Sequence, residues 1–377
     1  MKRLLIFHPA LAPYRVDFFN ELGRRFNLKI VFLVRNNLNQ GFQQEILLKN
    51  ATYSYEYLDQ SITIFKRRLN RGYWKIIKNF NPDIVFTSEF GASLIGTWSY
   101  KILHRSTYKI FTLCDDSIEI FNNCKGIRKY SRSFFYNKIN GIICVNPTVA
   151  KGYSDLGAQH TIYFPIIREE NSYKNKIFSV RHITKDYIYK WNLAGKINIM
   201  FVGRLATVKN LDGLLLTFSK LPVEYKQKCN LIFVGEGTAS ERLLKIAQEL
   251  GLSKNLLMVG KYENEELLAW YNIGSFFVLP SLYEPFGAVT GEALMAGMPA
   301  LISSMAGSSC LIDNTNGLVF NPINENDFLN SLISMIARSE TTPVDGFIRS
   351  NLIQISFSSY MNNLENILNN SMSDATR

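Results

Sequence analysis

The sequence has no run of about 18 apolar residues, so no segment of it reads as a membrane-spanning helix. Its opening, "MKRLLIFHPALAPYR", holds an apolar stretch too short and wrongly flanked for a signal peptide, and a cytoplasmic location is expected. Cysteine is sparse. Cys114, Cys124, Cys144, Cys229 and Cys310 stand singly and are odd in number, with no Cys-x-x-Cys pair and no His at metal-ligand spacing. That pattern argues against a disulfide frame and against zinc, and for reduced thiols. No recognised nucleic-acid motif occurs, and the basic residues are not interleaved with an aromatic stacking platform, so no nucleic-acid partner is expected.

What is present suits a folded protein of two domains: 377 residues, 47% hydrophobic, 13% aromatic and 19% charged. The net charge of +11 is unevenly spread. Up to Lys190 there are 29 Lys and Arg against 14 Asp and Glu, a net of +15, whereas the remainder has 13 against 17, a net of −4. An anionic partner is therefore expected for the first half alone, whether a membrane surface, a phosphorylated acceptor or nucleic acid.

Short apolar runs alternate with helical periodicity. "RLLIFHP", "LKIVFLV", "DIVFTS", "YKIFTL" and "GIICV" read as buried strands, and after a polar stretch from about Arg168 to Trp191 the theme restarts with "INIMFVG", "NLIFVGEG", "NLLMVG", "SFFVLPS", "PALISS" and "NGLVF". Strand and helix in alternation predict α/β architecture: two doubly wound, Rossmann-like domains, 1–168 and 169–355, facing a central cleft. "FSSYMNNLENILNN" predicts a helix with apolar positions at 357, 360, 361, 364 and 367, in a C-terminal segment 356–377.

The most informative stretch is "EPFGAVTGEALMAGMP" (284–299). Pro285 biases Glu284 away from helical dihedrals, so this carboxylate belongs in the loop leaving "FFVLPS". "AVTGEALMA" predicts a helix ended by Gly297 and Pro299, with Glu292 in its opening turns. Between the two acids lie the amides of Gly287, Ala288, Val289 and Thr290, expected to be unpaired within the helix and to form an anion site at the positive end of its dipole. Gly287 lets a ligand approach the backbone. Upstream, "FVGRLATVKN" places Gly203, Arg204 and Lys209 at the carboxyl end of a strand, where two cations suffice to hold a diphosphate without a metal ion.

Taken together, Gly203-Arg204 with Lys209, Gly235-Glu236-Gly237, Gly260-Lys261, Pro280-Ser281, Glu284-Pro285-Phe286-Gly287 with Glu292, Gly297-x-Pro299 and Asn316-Gly317 resemble the family 4 retaining glycosyltransferases of the GT-B fold. Order and spacing match over essentially the whole second half, and the first half more loosely, through its strand order and "NPDIVFTS".

The resemblance implies a donor linked to a nucleoside diphosphate, UDP or GDP, and no other cofactor. It implies that Arg204 and Lys209 bind the diphosphate and stabilise the leaving group, and that Glu292 takes the ribose hydroxyls. Glu284 and the amides after Pro285 and Phe286 would hold the sugar, with Lys261 and Tyr262 near the base. It also implies that the C-terminal helix crosses back to the first domain. No Asp-x-Asp occurs, the metal handle of the other large glycosyltransferase fold, so metal independence is expected.

Three departures stand out. Where many members open with a Gly-Gly loop, this chain has "HPALAPYR", whose Pro13, Tyr14 and Arg15 are acceptor-side candidates. Where many place a His, it has Cys114 followed by Asp115 and Asp116, either of which could line the acceptor site or make a turn or capping box. Cys310 stands where members often have Glu.

"FKRRLNRGYWKIIKNF" (65–80) reads as a basic amphipathic helix. Phe65, Leu69, Tyr73, Ile76 and Phe80 form one stripe, and Arg67, Arg71, Lys75 and Lys78 the opposite one, with Arg68 and Trp74 nearby. Such a face suits either solvent or an anionic membrane carrying a lipid-linked saccharide acceptor. The leading expectation is thus a saccharide-extending glycosyltransferase of cell-surface polysaccharide synthesis. A sugar-nucleotide 2-epimerase of the same fold is the alternative, with a basic nucleic-acid-binding protein behind it.

Overall fold

Residues 1–35, 42–58, 61–64, 67–70 and 72–373 are described by the computed structural model, those of 61–64, 67–70 and 372–373 as backbone only. Within them the apolar runs become parallel strands, because a strand apolar on both faces is satisfied only when helices cover both sides of its sheet. β1 (Arg3–His8) illustrates this: Leu4, Leu5, Ile6 and Phe7 are all fully buried.

One compact unit comprises residues 1–166 and the C-terminal helix Phe357–Ser373. After β1 it holds β2 (Asn27–Phe32), β3 (Ser54–Tyr57), β4 (Ser61–Ile64), β5 (Arg67–Asn70), β6 (Ile84–Ser88), β7 (Lys109–Cys114), β8 (Gly141–Cys144) and β9 (Thr161–Tyr163). Seven of these form a parallel sheet in the order β3-β2-β1-β6-β7-β8-β9. The sequence reading passed over β3 and β9, whose runs are short and mostly polar or aromatic.

The second unit, 167–356, holds β10 (Ile197–Val202), β11 (Cys229–Val234), β12 (Leu256–Gly260), β13 (Phe276–Leu279), β14 (Ala300–Ser303) and β15 (Gly317–Phe320). They form a parallel sheet in the order β12-β11-β10-β13-β14-β15. In both sheets the order reverses beside the first strand, between β1 and β6 and between β10 and β13. Loops leaving those strands diverge, and the crevice outside their carboxyl ends is where open α/β sheets bind ligands.

The helix expected over 65–80 is corrected by the structure. Only Tyr73–Phe80 is helical, while Arg67–Asn70 is β5, paired antiparallel with β4. Gly72, at φ 106, starts the helix in the left-handed region. Arg67 therefore shares no helical face with Lys75 and Lys78, and Phe65, Lys66 and Arg71 lie outside the described residues. The hairpin wins because a strand-forming "SITI" precedes the basic run and supplies it with a partner.

The C-terminal helix buries Phe357, Met361, Leu364 and Leu368, the last in place of the expected Ile367. It is held within its own unit by Phe357 edge-on to Phe164, at 5.8 Å between centroids, by Tyr360 against Tyr163 at 5.5 Å, and by Arg25 Nη1 on Glu365 at 2.7 Å.

His8, the last residue of β1, is buried, and its Nδ1–H donates to the Ala10 carbonyl at 2.9 Å. Burial, with Arg15 nearby, lowers its pKa from 6.5 to about 4. The folded state thus binds fewer protons than the unfolded chain between those values, so stability is lost as pH falls through that window. Thermal unfolding of the wild type is expected to soften between pH 6.5 and about 4, and the slope to flatten in His8→Gln.

Candidate active site

The second unit's switch point is built from backbone first. Gly203, at φ 146, ends β10, and its amide donates to Val234 O at 3.0 Å. The Leu205 amide donates to Glu236 O at 2.9 Å, and that of Gly235 to Gly260 O at 2.8 Å. These contacts lace the loops after β10, β11 and β12 into one surface. The price is side-chain room: a Cβ on Gly235 would stand 1.9 Å from Gly203 O, and one on Gly237 2.2 Å from Leu205 O. Gly235 and Gly237 are thus required by close backbone approach, beyond the needs of a plain strand-to-helix turn.

The loop leaving β13 is stitched to the loop leaving β10. The Leu282 amide donates to Val208 O at 2.9 Å, and Lys209 Nζ forms an ion pair with Glu284 Oε2, both side chains about one-seventh exposed. Glu284 also makes a parallel bridge with Ala306. The amides of Gly307 and Ser308 donate to Glu284 O and Phe286 O at 3.0 and 2.7 Å. Arg204 is exposed, and among the described residues it has no ion-pair partner. One cation is thereby seated by Glu284, and the other is available to an arriving anion.

Helix Ala288–Met295 begins at Gly287, whose φ of 92 suits glycine. One expectation is corrected here: the Thr290 amide is already taken, by Gly287 O at 2.9 Å, and its hydroxyl meets Ser308 Oγ at 2.8 Å. The run of helix-start amides expected to be unpaired therefore stops short of Thr290. Just before the helix, Pro285 is half-buried and Phe286 is buried.

Glu292, early in that helix, faces a polar cage. The Tyr271 hydroxyl donates to its Oε2 at 3.1 Å, Arg168 Nη1 lies 3.6 Å from Oε1, and the Tyr173 hydroxyl donates to its backbone carbonyl at 3.0 Å. Burial and the Glu292 charge push Tyr271 well above the usual phenol range, so it stays protonated and donating. Lys261 is exposed and pairs with Glu263 at 2.6 Å, whereas Tyr262 packs with Tyr187 and Trp270 at 5.4 and 5.7 Å beyond the end of β12.

At the first unit's switch point, Pro13–Arg15 forms a short 3-10 turn after β1. Arg15 is buried, with its guanidinium taken by Asp115 and lying near the rings of Tyr14 and Phe18. Asp116 is fully buried and pairs with Arg128, which also reaches Glu89 at 3.0 Å. The helix cap after "CDD" is Ser117, whose side chain accepts from the Ile120 amide, so neither aspartate is the cap. Cys114 is buried on β7, in register with Cys144 of β8; a hydrogen bond with that thiol, and then burial, keep it well above the thiol range and protonated. It is no thiolate nucleophile. Cys310 lies in the 3-10 turn Gly307–Leu311.

Among the described residues, no three His, Cys, Asp or Glu side chains gather as a metal site.

With that geometry, residues 185–342 match the family model described as "Glycosyl transferases group 1". Anabaena HepE, solved with UDP and glucose, superposes with a TM-score of 0.72 at 14% identity, covering 99% of this chain and 100% of that one. The lipopolysaccharide outer core galactosyltransferase WaaB, solved in its apo form, gives 0.67 at 16%, covering 97% and 99%. The fold is GT-B. The serotype-specific mannosyltransferase WbdA of Escherichia coli is 25% identical over 246 residues, which are 61% of this chain and 29% of WbdA. The chain spans less than half the length of the curated relatives it matches.

Within this GT-B chain, sequence reasoning missed Arg168, Tyr173 and Tyr271 around Glu292, Ser308 beside Thr290, and Glu89 with Arg128 beside Asp116. All are long-range partners from separate elements. Only Glu89 carries a local oddity, a positive φ of 53 at the end of β6, and dihedrals are not legible in a sequence.

Proposed function

We propose that the protein is a retaining, metal-independent glycosyltransferase. It moves a sugar from a UDP- or GDP-linked donor to a saccharide acceptor, lipid-linked and at the inner membrane face, in cell-surface polysaccharide synthesis. The observation that carries this reading is the stitched pair of loops at the β10/β13 switch point, where Lys209 pairs with Glu284 just ahead of helix Ala288–Met295, and Arg204 stands exposed in the loop leaving β10. Two cations and a helix N-terminus suit a diphosphate, and two carboxylates suit hydroxyls. HepE, solved with UDP and glucose, supports the donor class. WbdA and WaaB, a mannosyltransferase and a lipopolysaccharide galactosyltransferase, support the polysaccharide setting.

In this reading Arg204 and Lys209 hold the diphosphate and offset its charge as the bond from the sugar's C1 to the leaving oxygen breaks. Glu284 and the amides from Phe286 to Val289 hold the sugar beside Pro285, Glu292 the ribose hydroxyls, and Lys261 and Tyr262 lie near the base. The acceptor oxygen bonds to C1 on the face the diphosphate leaves, and its proton passes to a phosphate oxygen. Pro13, Tyr14, Arg15, Asp115 and Asp116 shape the acceptor side, Arg15 and Asp116 as buried supports and Asp115 as the partly exposed group.

The test is thermal unfolding against a panel of UDP- and GDP-sugars in EDTA. A donor at 100 times its dissociation constant should add about 2.7 kcal/mol. Stabilisation that vanished in EDTA would overturn metal independence, and a panel without any stabilising member would overturn the donor assignment.

A further inference from the structure

The helices packed on one face of the first unit's sheet show an unusual outer surface. Tyr73–Phe80 and Ala92–Leu103 touch through Trp74, whose Nε1–H donates to Gly96 O at 3.0 Å. Ala92–Leu103 and Gly126–Phe135 touch through Trp98, which lies edge-on to Phe134 and Phe135 at 5.6 Å. The three helices thus form one continuous layer over the sheet.

Their outward positions should be charged or polar in a surface helix. Here they are not. On Ala92–Leu103 the outward residues include Ile95, Ile102 and Leu103, the last two 56% and 67% exposed. On Gly126–Phe135 the spacing of three and four sets Ile127, Tyr130 and Phe134 along one stripe, the first two 71% and 77% exposed. Trp74 is also more than two-fifths exposed. Single exposed apolar residues are ordinary, but runs on adjoining helices mark an interaction surface.

Charge on the same layer selects the partner. The three helices contain six Lys and Arg and no Asp or Glu. Arg128 is engaged by Glu89 and Asp116, but Lys75, Lys78 and Lys129 are exposed, and Lys138 just beyond stands 3.4 Å over the Phe134 ring. A second copy of this chain would meet like charge with like. A surface that accepts apolar side chains and repays cations is an anionic lipid bilayer, with Trp, Tyr and Lys at the headgroup level.

We propose that the face formed by helices Tyr73–Phe80, Ala92–Leu103 and Gly126–Phe135 docks on anionic membrane, inserting Ile127, Tyr130, Ile102 and Leu103. The inference rests on the membrane-linked acceptor reading above, which it makes specific. It replaces the basic helix expected over 65–80 with a three-helix surface that keeps Trp74, Lys75 and Lys78.

The full chain is to be floated with vesicles of phosphatidylglycerol and phosphatidylcholine in equal parts, and with phosphatidylcholine alone. Binding is expected to the mixed vesicles only, to weaken with salt, and to fall about tenfold or more in Ile127→Glu/Tyr130→Glu and in Ile102→Glu/Leu103→Glu. Val344→Glu, equally exposed in the other unit, should bind like wild type. Thermal unfolding with nucleotide sugar is run on each variant, so that folding and the donor reading are judged apart from docking. Equal binding to both vesicle types, unaltered binding of the folded double variants, or a stable dimer lost in those same variants would each overturn the proposal.

Discussion

Lys209→Ala and Arg204→Ala are each expected to lower the rate of transfer about 10²–10³-fold, roughly 3–4 kcal/mol in the barrier, because in the proposed mechanism each removes a cation that offsets charge on the leaving diphosphate. The two should differ sharply in stability. Arg204 is exposed and without an ion-pair partner among the described residues, so its loss should shift unfolding by no more than about 0.5 kcal/mol. Lys209 is mostly buried against Glu284, and its removal leaves a carboxylate without its cation, at a cost of about 1–3 kcal/mol. Adding Glu284→Gln to Lys209→Ala should recover part of that stability and none of the activity. Steady-state kinetics together with thermal unfolding separate the outcomes. A Lys209→Ala enzyme that lost stability but kept its turnover would make the residue a scaffold cation only. An Arg204→Ala/Lys209→Ala double variant should lose less activity than the sum of the singles, since in the proposed mechanism the two cations act on one ligand.

The second large effect is expected at a residue without a side chain. Gly235→Ala would set a methyl group 1.9 Å from Gly203 O, a backbone atom that cannot swing aside, at a φ of 148 that an L residue rarely adopts. Overpacking and backbone strain together should cost about 3 kcal/mol, a fall of roughly 6–12 °C in Tm for a unit of this size. Because the displaced atoms belong to the Gly203–Leu205 turn, stabilisation by nucleotide sugar should disappear as well. Gly251→Ala is the control. Its φ is also positive, at 69, but its Cβ would meet open space, so it should cost about 1 kcal/mol and leave donor binding intact. Equal effects at the two positions would mean that the close approach of the β10 and β11 loops is not what positions the donor site.

Much of this protein was legible before any coordinates. Every long apolar run became a parallel strand, since burial on both faces imprints a continuous run on the sequence. The helix at Ala288 and its glycine start followed from Pro285, Gly287 and Gly297, residues whose backbone preferences act locally. Failures clustered where local signals were balanced. In 65–80 a helical period was present, yet β4 lay close enough to pair with four of its residues, Arg67–Asn70, and a partner strand outweighs a weak propensity. At Thr290 the position was right, but its amide turned back onto Gly287 O.

Composition, periodicity and spacing by themselves determined the α/β class, the two-fold repeat of the strand theme, the charge asymmetry and the residue types gathered around Gly203 and Glu284. Those properties are written in neighbouring residues, so a sequence displays them. Only the tertiary structure decided the strand order that puts β10 beside β13, the ion pair across 75 residues between Lys209 and Glu284, the cage of Arg168 and Tyr271 around Glu292, and the apolar outer face of three basic helices. Each depends on which segments meet after the chain has closed long loops. That choice is made by the summed burial of whole elements and not by any short stretch of residues.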